Sequence, residues 1–470
     1  MTYSEAIQFL YDLRLFGAKF GLENTFKLAA LAGNPQDLLR FIHVAGTNGK
    51  GSTCAMLESI YRAAGLRVGL FTSPHLVSFR ERIQVNRQLI SEAEVVRLVE
   101  ALQPWLKQFP ADHHPTFFEV VTVMALNFFA EQKCDLVIWE TGLGGRLDAT
   151  NIVTPLASVI TNIQFDHQQW LGDTLERIAA EKAGIIKPGV PVITTADEPE
   201  ALAVIEKTAR EKNAPLMTVN GRDAALRRPD SAARCPYLPL PGAHQLINAA
   251  LALATIETLQ GKMPVSDAAV CTGLETVSWP GRLQQVTLPN GRRILLDGAH
   301  NVAGAKALRE ALSSWSSSFS LSGGTLKREL QRAGSDQPSP GSSGSAWTGA
   351  PGIITLILGV LQDKDWRHIC GTLAPLAARI FTVPVASERT ADARELAAAC
   401  RAANPAADIA AYDSLRTALD QAASDRFIIV TGSLYLVGEA LELLGLSPAT
   451  ADERALNEWS ARSQPLPASG

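Results

Sequence analysis

The sequence has little cysteine, and its six cysteines form no C-x-x-C pair. They stand apart, at positions 54, 134, 235, 271, 370 and 400. This spacing argues against a zinc cage and against the disulfide framework of a small secreted domain. We therefore expect reduced thiols and a cytoplasmic protein.

Long hydrophobic runs and an excess of one charge are also missing. No charge-free stretch of about 18 apolar residues occurs, so we expect no membrane span. The first residues, MTYSEAIQFLYDLRLFG, lack the basic start and apolar core of a secretory signal. The 43 basic and 47 acidic residues leave a net charge of −4, which does not indicate a nucleic-acid surface. Nothing in the sequence requires more than a monomer.

The sequence does contain a series of short, β-branched apolar runs, each followed by a helical pattern. Four of them are FIHVAG, LVIWETG, RILLDGAH and FIIVTGS. Continuous apolar strands that alternate with helices predict an α/β fold, with parallel sheets covered by helices on both faces. A chain of 470 residues is long enough to divide, and we place the boundary near WPGRLQQV, between domains 1–284 and 285–470. Residues 313–352 are rich in Ser, Gly and Pro and are expected to be a disordered insertion.

The loop GTNGKGST, residues 46–53, has the composition of a phosphate-binding loop but not the usual spacing. The common pattern G-x-x-x-x-G-K-[ST] needs a glycine where Val44 stands, and here Gly51 separates the lysine from the hydroxyl. Glycines let backbone N–H groups approach an anion closely, and the following helix start adds its positive dipole. Lys50 would supply a charge for phosphates, and Ser52 a hydroxyl near a metal. The alternative is a plain glycine-rich turn.

Further polar residues follow other predicted strands, at the sheet edge where open parallel sheets bind ligands. Phosphate transfer needs a divalent cation, and magnesium prefers oxygen ligands. The candidate ligands are Ser73, Glu140 and His167. His167 also has a second interpretation, as a satisfied polar residue of a loop. The same predicted edge carries Thr72, His75 and Asp166.

Several motifs occur in a fixed order along the chain. They are GTNGKGST, FTSPHLVSFRERI (71–83), ETGLGGRLDATNIV (140–153), ITNIQFDHQQWLGDTLERIAAEKAGIIKPG (160–189), PGAHQLINAALA (241–252), WPGR (279–282), LLDGAHN (295–301), LGVLQDKD (358–365) and TGSLYLVGE (431–439). Together they resemble the folylpolyglutamate synthase and dihydrofolate synthase family, a branch of the Mur-ligase-like ATP-dependent amide ligases. The resemblance lapses mainly across the Ser/Gly/Pro-rich insertion.

This resemblance implies a P-loop-type parallel-sheet domain, which is ATP-binding and Mur-ligase-like, followed by a smaller Rossmann-like ligase domain. It implies an enzyme that adds L-glutamate to dihydropteroate, to folate polyglutamates or to both. The reaction would pass through an acyl phosphate and release ADP and phosphate. The resemblance also accounts for the opening loop, because the family's own loop has the form G-T-N-G-K-G-S.

The resemblance further implies roles for individual residues. ATP contacts would come from Gly49, Lys50, Gly51, Ser52, Asn248, Arg282, Asp297 and His300. Magnesium would be held by Ser52, Ser73, Glu140 and His167, and a carbamate on Lys182 would help hold a second magnesium ion. The pterin would contact Phe20, Gly21, Leu22, Glu23, Thr116, Phe117, Phe118, Glu119, Leu147, Asp148 and Ala149. The residues implied in catalysis are Lys50, Lys182 and His300, with Lys182 carbamylated.

Some of these residues have a simpler interpretation. Lys182 would be a solvated helix lysine paired with an acid, and Phe117 and Phe118 would be ordinary core residues. The base that deprotonates glutamate is open between His300 and Asp166.

The function also has alternatives. Asn24 stands where the family often has a basic residue, and VASERTADA (385–393) stands where Pro-Arg-Ala is common. Both departures leave the choice between dihydropteroate and folate open. A Mur-like ligase that acts on a cell-wall nucleotide precursor, and a nucleotide-binding protein without catalysis, are the competing functions.

Overall fold

The computed structural model describes residues 1–16, 21–219, 237–314, 354–447 and 451–457. Phe20 and all of the insertion 313–352 except its first two residues lie outside these ranges, so both predictions stay open. Within the same ranges, no helix has the length and apolar character that crossing a bilayer requires.

The chain divides into two compact units. The first unit contains Met1–Pro280 together with Leu441–Gly470, and the second contains Gly281–Ala440. The sequence-based division had placed the boundary after residue 284 and kept the whole remainder in the second domain. The difference at the C-terminal end arises because the chain returns to the first unit, and no local sequence signal marks that return.

An eight-stranded sheet forms the centre of the first unit, in the order β4-β3-β2-β5-β1-β6-β7-β8. Its strands are β1 (Phe41–Ala45), β2 (Val68–Phe71), β3 (Ile83–Val85), β4 (Gln88–Leu89), β5 (Leu136–Glu140), β6 (Ala157–Ile160), β7 (Val192–Thr194) and β8 (Leu216–Thr218). Strands β3 and β4 form an antiparallel edge, and the other neighbours pair in parallel. The carboxyl ends of β2, β5, β1 and β6 therefore meet at one edge of the sheet.

Helices connect these strands and cover both faces of the sheet. In chain order they are α1 (Tyr3–Asp12), α2 (Glu23–Leu31), α3 (Lys50–Ala63), α4 (Glu92–Leu106), α5 (Phe117–Glu131), α6 (Gln168–Leu171), α7 (Leu175–Ala183), α8 (Pro199–Glu211), α9 (Ala243–Thr258) and α10 (Asp267–Glu275). A short 3₁₀ helix, Phe79–Arg82, precedes β3.

A six-stranded sheet forms the second unit, in the order β13-β12-β11-β14-β10-β9. Its strands are β9 (Gln284–Thr287), β10 (Arg293–Asp297), β11 (Ile354–Leu358), β12 (Arg379–Thr382), β13 (Asp408–Ala411) and β14 (Phe427–Thr431). Only β9 pairs antiparallel among these strands. The helices that follow are α11 (Trp366–Leu373), α12 (Ala393–Ala403), α13 (Leu415–Gln421) and α14 (Leu434–Leu443), and residues 302–314 are also helical. Helix α15 (Ala451–Arg454) belongs to the first unit.

Strand β1 shows why both faces of the first sheet are covered. All five of its residues are buried. Phe41 packs in one hydrophobic cluster with Phe71 and Trp139, whereas Ile42 and Val44 belong to a second cluster. This alternation follows from the two-residue period of a strand. Burying each such side chain stabilises the fold by roughly 1.5–3 kcal/mol. The predicted α/β fold with helices on both faces of parallel sheets is confirmed.

The expectation for cysteine is wrong at one position. Cys54, Cys134, Cys370 and Cys400 are free and buried, but Cys271 is disulfide-bonded. Scattered spacing excludes a dense framework, but it cannot exclude a single bond between residues that the fold brings together.

Candidate functional site

The loop after β1 is held against the end of the neighbouring strand β6. Gly46 has φ +143°, and a Cβ atom there would lie 1.7 Å from Oγ1 of Thr161. Only glycine permits such a close approach. The N–H of Thr47 donates to the carbonyl of Asn162 at 2.9 Å, and the N–H of Asn48 donates to Oδ1 of Asn162 at 2.8 Å. These contacts fix the shape of the loop, and neither Thr161 nor Asn162 was singled out from the sequence.

The start of α3 is open to an anion. Gly49 is its N-cap with φ +87° and has no side chain to cap the first turn, and that turn holds no acidic residue. A Cβ atom on Gly49 would lie 2.4 Å from Oδ1 of Asn248, and one on Gly51 would lie 2.9 Å from Nε1 of Trp279. The N–H groups of a first helical turn and the helix dipole favour phosphate at this point. Asn248, a predicted ATP contact, thus lies beside the loop.

Two lysines bind the same carbonyl in this loop. Nζ of Lys50 donates to the carbonyls of Gly46 and Thr47, at 3.1 and 3.2 Å. Nζ of Lys182 donates to the carbonyl of Gly46 at 2.7 Å. The simpler interpretation of Lys182 as a solvated lysine is wrong, because the residue is only 5% exposed.

The surroundings of Lys182 favour its neutral form. Burial, followed by the positive charge of Lys50, lowers the pKa of Lys182 to about 7, although Asp166 and Asp148 act in the opposite direction. A sizeable fraction of the side chain is therefore a free amine at neutral pH.

Glu140 places a buried carboxylate beside this cationic loop. It ends β5, lies in register with Val44 of β1 and is 3% exposed. Its Oε2 accepts a hydrogen bond from the N–H of Ser73 at 3.1 Å. The pKa of the Cys54 thiol is raised by burial and by Glu140, whereas Lys50 lowers it. Glu140 and Lys50 thus act on the same part of the site.

His167 lies beyond β6 in a left-handed conformation, with φ +50°. Its N–H donates to Oδ1 of Asp166 at 2.8 Å, and its Nε2 lies 3.9 Å from the same oxygen. A non-glycine residue in this conformation is uncommon and often occurs at a functional site. The contacts with Asp166 agree with either interpretation of His167, as a loop residue or as a ligand.

The donor set suits magnesium in part. Oxygen atoms come from Ser52, Ser73 and Glu140. Ser52 is buried in the first turn of α3. His167 offers nitrogen, which magnesium favours less. Within the described ranges, no three His, Cys, Asp or Glu side chains form a metal cage. One carboxylate with serine hydroxyls is a ligand set that magnesium accepts where it keeps water and phosphate ligands.

The predicted pterin residues at the start of α5 divide into two groups. Thr116 and Glu119 form a capping box, and Glu119 is buried and also accepts a hydrogen bond from Thr25 at 3.4 Å. Phe117 is buried, as the core interpretation expects, with the guanidinium of Arg82 5.4 Å from its ring centroid. Phe118 is only partly buried. Of these four residues, Phe118 is therefore the one best placed to meet a ligand.

Phe118 lies close to Gly142 and Asp148. A Cβ atom on Gly142 would be 2.6 Å from Cζ of Phe118 and 3.2 Å from Oδ2 of Asp148. Asp148 is buried, and its Oδ2 accepts the N–H of Leu143 at 2.7 Å. Burial raises the pKa of Asp148, while hydrogen bonds from Thr150 and backbone N–H groups act against this rise.

The remaining predicted pterin residues lie near chain turns. Gly21 and Leu22 are partly buried and Glu23 is exposed, with Leu22 as the N-cap of α2. Leu147 is partly buried and Ala149 is buried, on either side of Asp148.

The orientation of Asp148 depends on two residues that the sequence did not single out. Oγ1 of Thr150 donates to Oδ1 of Asp148, so it accepts from Nε2 of His43, at 2.9 Å. His43 is fully buried, and burial, with a smaller effect from Lys187, lowers its pKa to about 3. Nothing in the run FIHVA distinguishes this histidine from a strand residue that only fills the core.

The second unit holds its predicted residues around the end of β10. Asp297 is buried and accepts the N–H groups of Leu283 and Ala299, at 2.9 and 3.0 Å. Nδ1 of His300 lies 2.8 Å from the carbonyl of Gly298, so this nitrogen carries the proton. In neutral His300 the basic nitrogen is then Nε2.

Arg282 lies in the same neighbourhood of the second unit. A Cβ atom on Gly298 would be 2.4 Å from Nη1 of Arg282. Arg282, Asp297 and His300 are thus gathered around one turn.

His75 does not lie where the sequence placed it. It is 2% exposed, and its ring contacts Arg82 and the carbonyl of Glu453. The expectation that it lines the edge of the sheet is wrong, because residues near the C-terminus cover it.

Comparisons with known proteins agree over most of the chain. A family profile for the Mur ligase middle domain matches residues 44–256. The dihydrofolate synthase/folylpolyglutamate synthase of Bacillus subtilis is 34% identical over 456 residues, which are 93% of this chain and 98% of that protein.

Solved structures show the same likeness. The folylpolyglutamate synthase of Thermotoga maritima has a TM-score of 0.78 and 32% identity, covering 96% of this chain and 99% of its own. Escherichia coli FolC, solved in complex with DHPP and ADP, has a TM-score of 0.74 and 30% identity, covering 95% and 98%. The match therefore extends over both units.

Proposed function

The chain belongs to the folylpolyglutamate synthase and dihydrofolate synthase family of Mur-type ligases, and from this we propose that it joins L-glutamate to dihydropteroate, to folate polyglutamates or to both, using ATP. The observation that carries the proposal is the convergence of Lys50 and Lys182 on Gly46, beside the buried carboxylate of Glu140. A cationic loop next to one carboxylate is the arrangement that phosphoryl transfer needs.

The reaction couples a carboxylate to an amine. An oxygen of the substrate carboxylate attacks the γ-phosphorus of ATP, the bond to the β-phosphate oxygen breaks, and ADP leaves. The amine of glutamate, after losing a proton, attacks the acyl carbon of the resulting acyl phosphate, and inorganic phosphate leaves. The protein contributes positioning and charge neutralisation.

The phosphates of ATP would accept hydrogen bonds from the N–H groups of residues 49–52. The ammonium group of Lys50 would turn from its present partners to a phosphate oxygen. Lys50 binds two neutral carbonyls in the structure, and a phosphate oxygen is a stronger acceptor. Ser52, Ser73, Glu140 and His167 would hold magnesium, which would neutralise charge on the phosphates.

Lys182 supplies the free amine that carbamylation requires. Its pKa of about 7 gives it this form at neutral pH, unlike an ordinary lysine. We include a carbamylated Lys182 in the proposal on this ground.

The pterin would bind beside Phe118 and Asp148. The partly buried ring of Phe118 offers an apolar wall, and Asp148 is held in one orientation by Thr150 and Leu143. The E. coli relative with DHPP and ADP supports use of both a pterin and a nucleotide. The ATP contacts of Asn248, Arg282, Asp297 and His300, the monomeric state and the cytoplasmic location stay predictions.

Phosphate release tests this function directly. Protein with ATP, magnesium, L-glutamate and dihydropteroate, or tetrahydrofolate in its place, should release phosphate only when both organic substrates are present. Mass spectrometry should then find a pterin product carrying one more glutamate. Lys50→Ala is the control and should remove the activity while the protein stays folded. Release without glutamate would contradict the proposal, since it would indicate an ATPase.

A further inference from the structure

The loop that carries Ser73 satisfies its backbone in an unusual way. Residues 73–82, here named the Ser73 loop, connect β2 to β3. The carboxylate of Glu81 accepts the N–H groups of Leu76, Val77 and Ser78, at 2.7, 2.9 and 2.8 Å. One carboxylate of the loop thus accepts three successive backbone N–H groups, which in a sheet would donate to a neighbouring strand.

A second carboxylate reaches the same loop from the far end of the chain. Oε2 of Glu453 accepts the N–H of Phe79 at 2.5 Å and the hydroxyl of Ser78 at 2.9 Å. Glu453 is 3% exposed and follows Phe79 by 374 residues. Both hydrogen bonds end on one oxygen atom, so a side chain with one well-placed acceptor could make both.

Three further side chains join the two segments. Nε of Arg82 donates to Nδ1 of His75 at 2.8 Å, and a guanidinium can only donate. His75 is therefore protonated on Nε2, which donates to the carbonyl of Glu453 at 2.9 Å. Asn457 donates to the carbonyl of His75 at 2.9 Å and accepts from Nη2 of Arg82 at 2.5 Å. The amide of Asn457 thus uses both its donor and its acceptor on this loop.

The Ser73 loop touches the candidate site at both ends. At its start, the N–H of Ser73 donates to Glu140. Toward its end, Phe79 packs edge-on against Phe117, with ring centroids 6.4 Å apart, and Arg82 covers the same ring. Phe117 is followed by Phe118, which lines the proposed pterin pocket. A shift of the loop would therefore move a proposed metal ligand and one wall of that pocket.

We propose that residues 453–457, here named the C-terminal clamp, position the Ser73 loop for metal and pterin binding. Glu453 and Asn457 are positioning residues, because they act through the loop. The identity of the ligands in this proposal rests on the proposed function. The hydrogen bonds that hold the Ser73 loop do not depend on that function. The phosphate loop of residues 46–52 is held instead by Asn162, just beyond β6, so nucleotide affinity in the absence of magnesium should not depend on the clamp.

The test uses two substitutions at one position in the full-length protein. Glu453→Ala removes the acceptor, and we expect the apparent KM for dihydropteroate and the magnesium requirement to rise about tenfold or more, as when a ligand loses its supporting contact. Glu453→Gln keeps one acceptor oxygen and should recover most of the loss. Affinity for ADP, measured by calorimetry without magnesium, should stay unchanged in both.

A second readout is independent of activity. Hydrogen exchange of the Phe79 amide should be faster in Glu453→Ala than in the wild type, and slower again in Glu453→Gln. The amide of Thr53, bonded to Gly49 inside α3, is the internal reference and should not change. Ile205→Val, in a different hydrophobic cluster, is the control for mild loss of core packing and should alter neither KM nor exchange at Phe79.

The outcomes separate the two proposals. If the wild-type protein shows no glutamate-dependent phosphate release, the proposed function is wrong. Hydrogen exchange of the Phe79 amide would in that case still test whether the C-terminal clamp holds the Ser73 loop. Unchanged KM and exchange in Glu453→Ala overturn the clamp, and so does a parallel fall in ADP affinity, which would indicate general loosening. If Glu453→Ala does not fold, Asn457→Ala takes its place under the same criteria.

Discussion

Lys50 and Lys182 donate hydrogen bonds to one oxygen atom, the carbonyl oxygen of Gly46. Two charged ammonium groups that share one acceptor atom lie close enough to repel each other. The contact is tolerable because burial and Lys50 both favour the neutral form of Lys182. The protonation state of Lys182, 132 positions after Lys50, is therefore coupled to the charge of the phosphate loop.

Replacing Lys182 with methionine should change how stability depends on pH. The pKa of Lys182 is about 7 in the folded protein, against 10.5 for an ordinary lysine. Between these values the unfolded chain binds more protons, so Lys182 makes the free energy of unfolding rise as pH increases from about 7 toward 10.5. Below about pH 7 the lysine is charged in both states and adds no slope. Urea unfolding across this range should show a shallower slope in Lys182→Met than in the wild type.

Lys207→Met is the matched control for this measurement. Lys207 is an exposed lysine of α8, and its loss should leave the wild-type slope in place. If Lys182→Met and the wild type gave parallel curves, Lys182 would be an ordinary lysine and the basis for its carbamylation would be lost.

Glu140→Gln should separate catalysis from stability. Glutamine keeps the shape of the side chain and an oxygen for the N–H of Ser73, but it lacks the charge that a magnesium site needs. Turnover should fall by roughly 10²–10³-fold, the usual cost of losing one charge-stabilising group. The melting temperature should hold or rise, because glutamine keeps the hydrogen bond and a neutral amide costs less to bury than a carboxylate. Near-normal phosphate release from this variant would rule out Glu140 as a ligand.

Thr150→Val should uncouple His43 from Asp148. Valine matches threonine in shape but leaves buried Nε2 of His43 and Oδ1 of Asp148 without this partner, at a cost of about 1–3 kcal/mol in the free energy of unfolding. The KM for dihydropteroate should rise, because Asp148 loses its fixed orientation. A double-mutant cycle with His43→Leu should give a coupling of about 0.5 kcal/mol or more, and additive effects would show that Thr150 does not couple His43 to Asp148.

Gly46→Ala should be far more harmful than Gly65→Ala. Both glycines have positive φ, but a Cβ atom on Gly65 meets nothing within 4 Å, whereas one on Gly46 meets Thr161 at 1.7 Å. Gly65→Ala should therefore cost only about 1–2 kcal/mol, the price of the backbone conformation. Gly46→Ala should in addition displace the loop and reduce ADP affinity, measured by calorimetry. Adding Thr161→Ala to Gly46→Ala should restore part of that affinity. Equal losses of stability and of ADP affinity in Gly46→Ala and Gly65→Ala would contradict this prediction.

The sequence predicted the strands and the edge of the sheet well, because local patterns determine both. Glu140 ends an apolar run, and in a parallel sheet that position places it at the binding edge. The burial of Lys182 could not be predicted, since solvent access depends on residues distant in sequence. Phe117 and Phe118 looked equivalent, but a helix turns about 100° between neighbours and so points them in different directions. His75 was misplaced because the residues that bury it come from the other end of the chain.

The C-terminal clamp has a consequence for how the protein is made. A ribosome releases the chain from its N-terminal end, so Phe79 of the Ser73 loop emerges 374 residues before Glu453. The whole second unit, Gly281–Ala440, is synthesised in between. The Ser73 loop therefore cannot gain its contacts with the clamp until translation has passed residues 453–457, and a premature stop codon before codon 453 would remove contacts from a segment that was made much earlier.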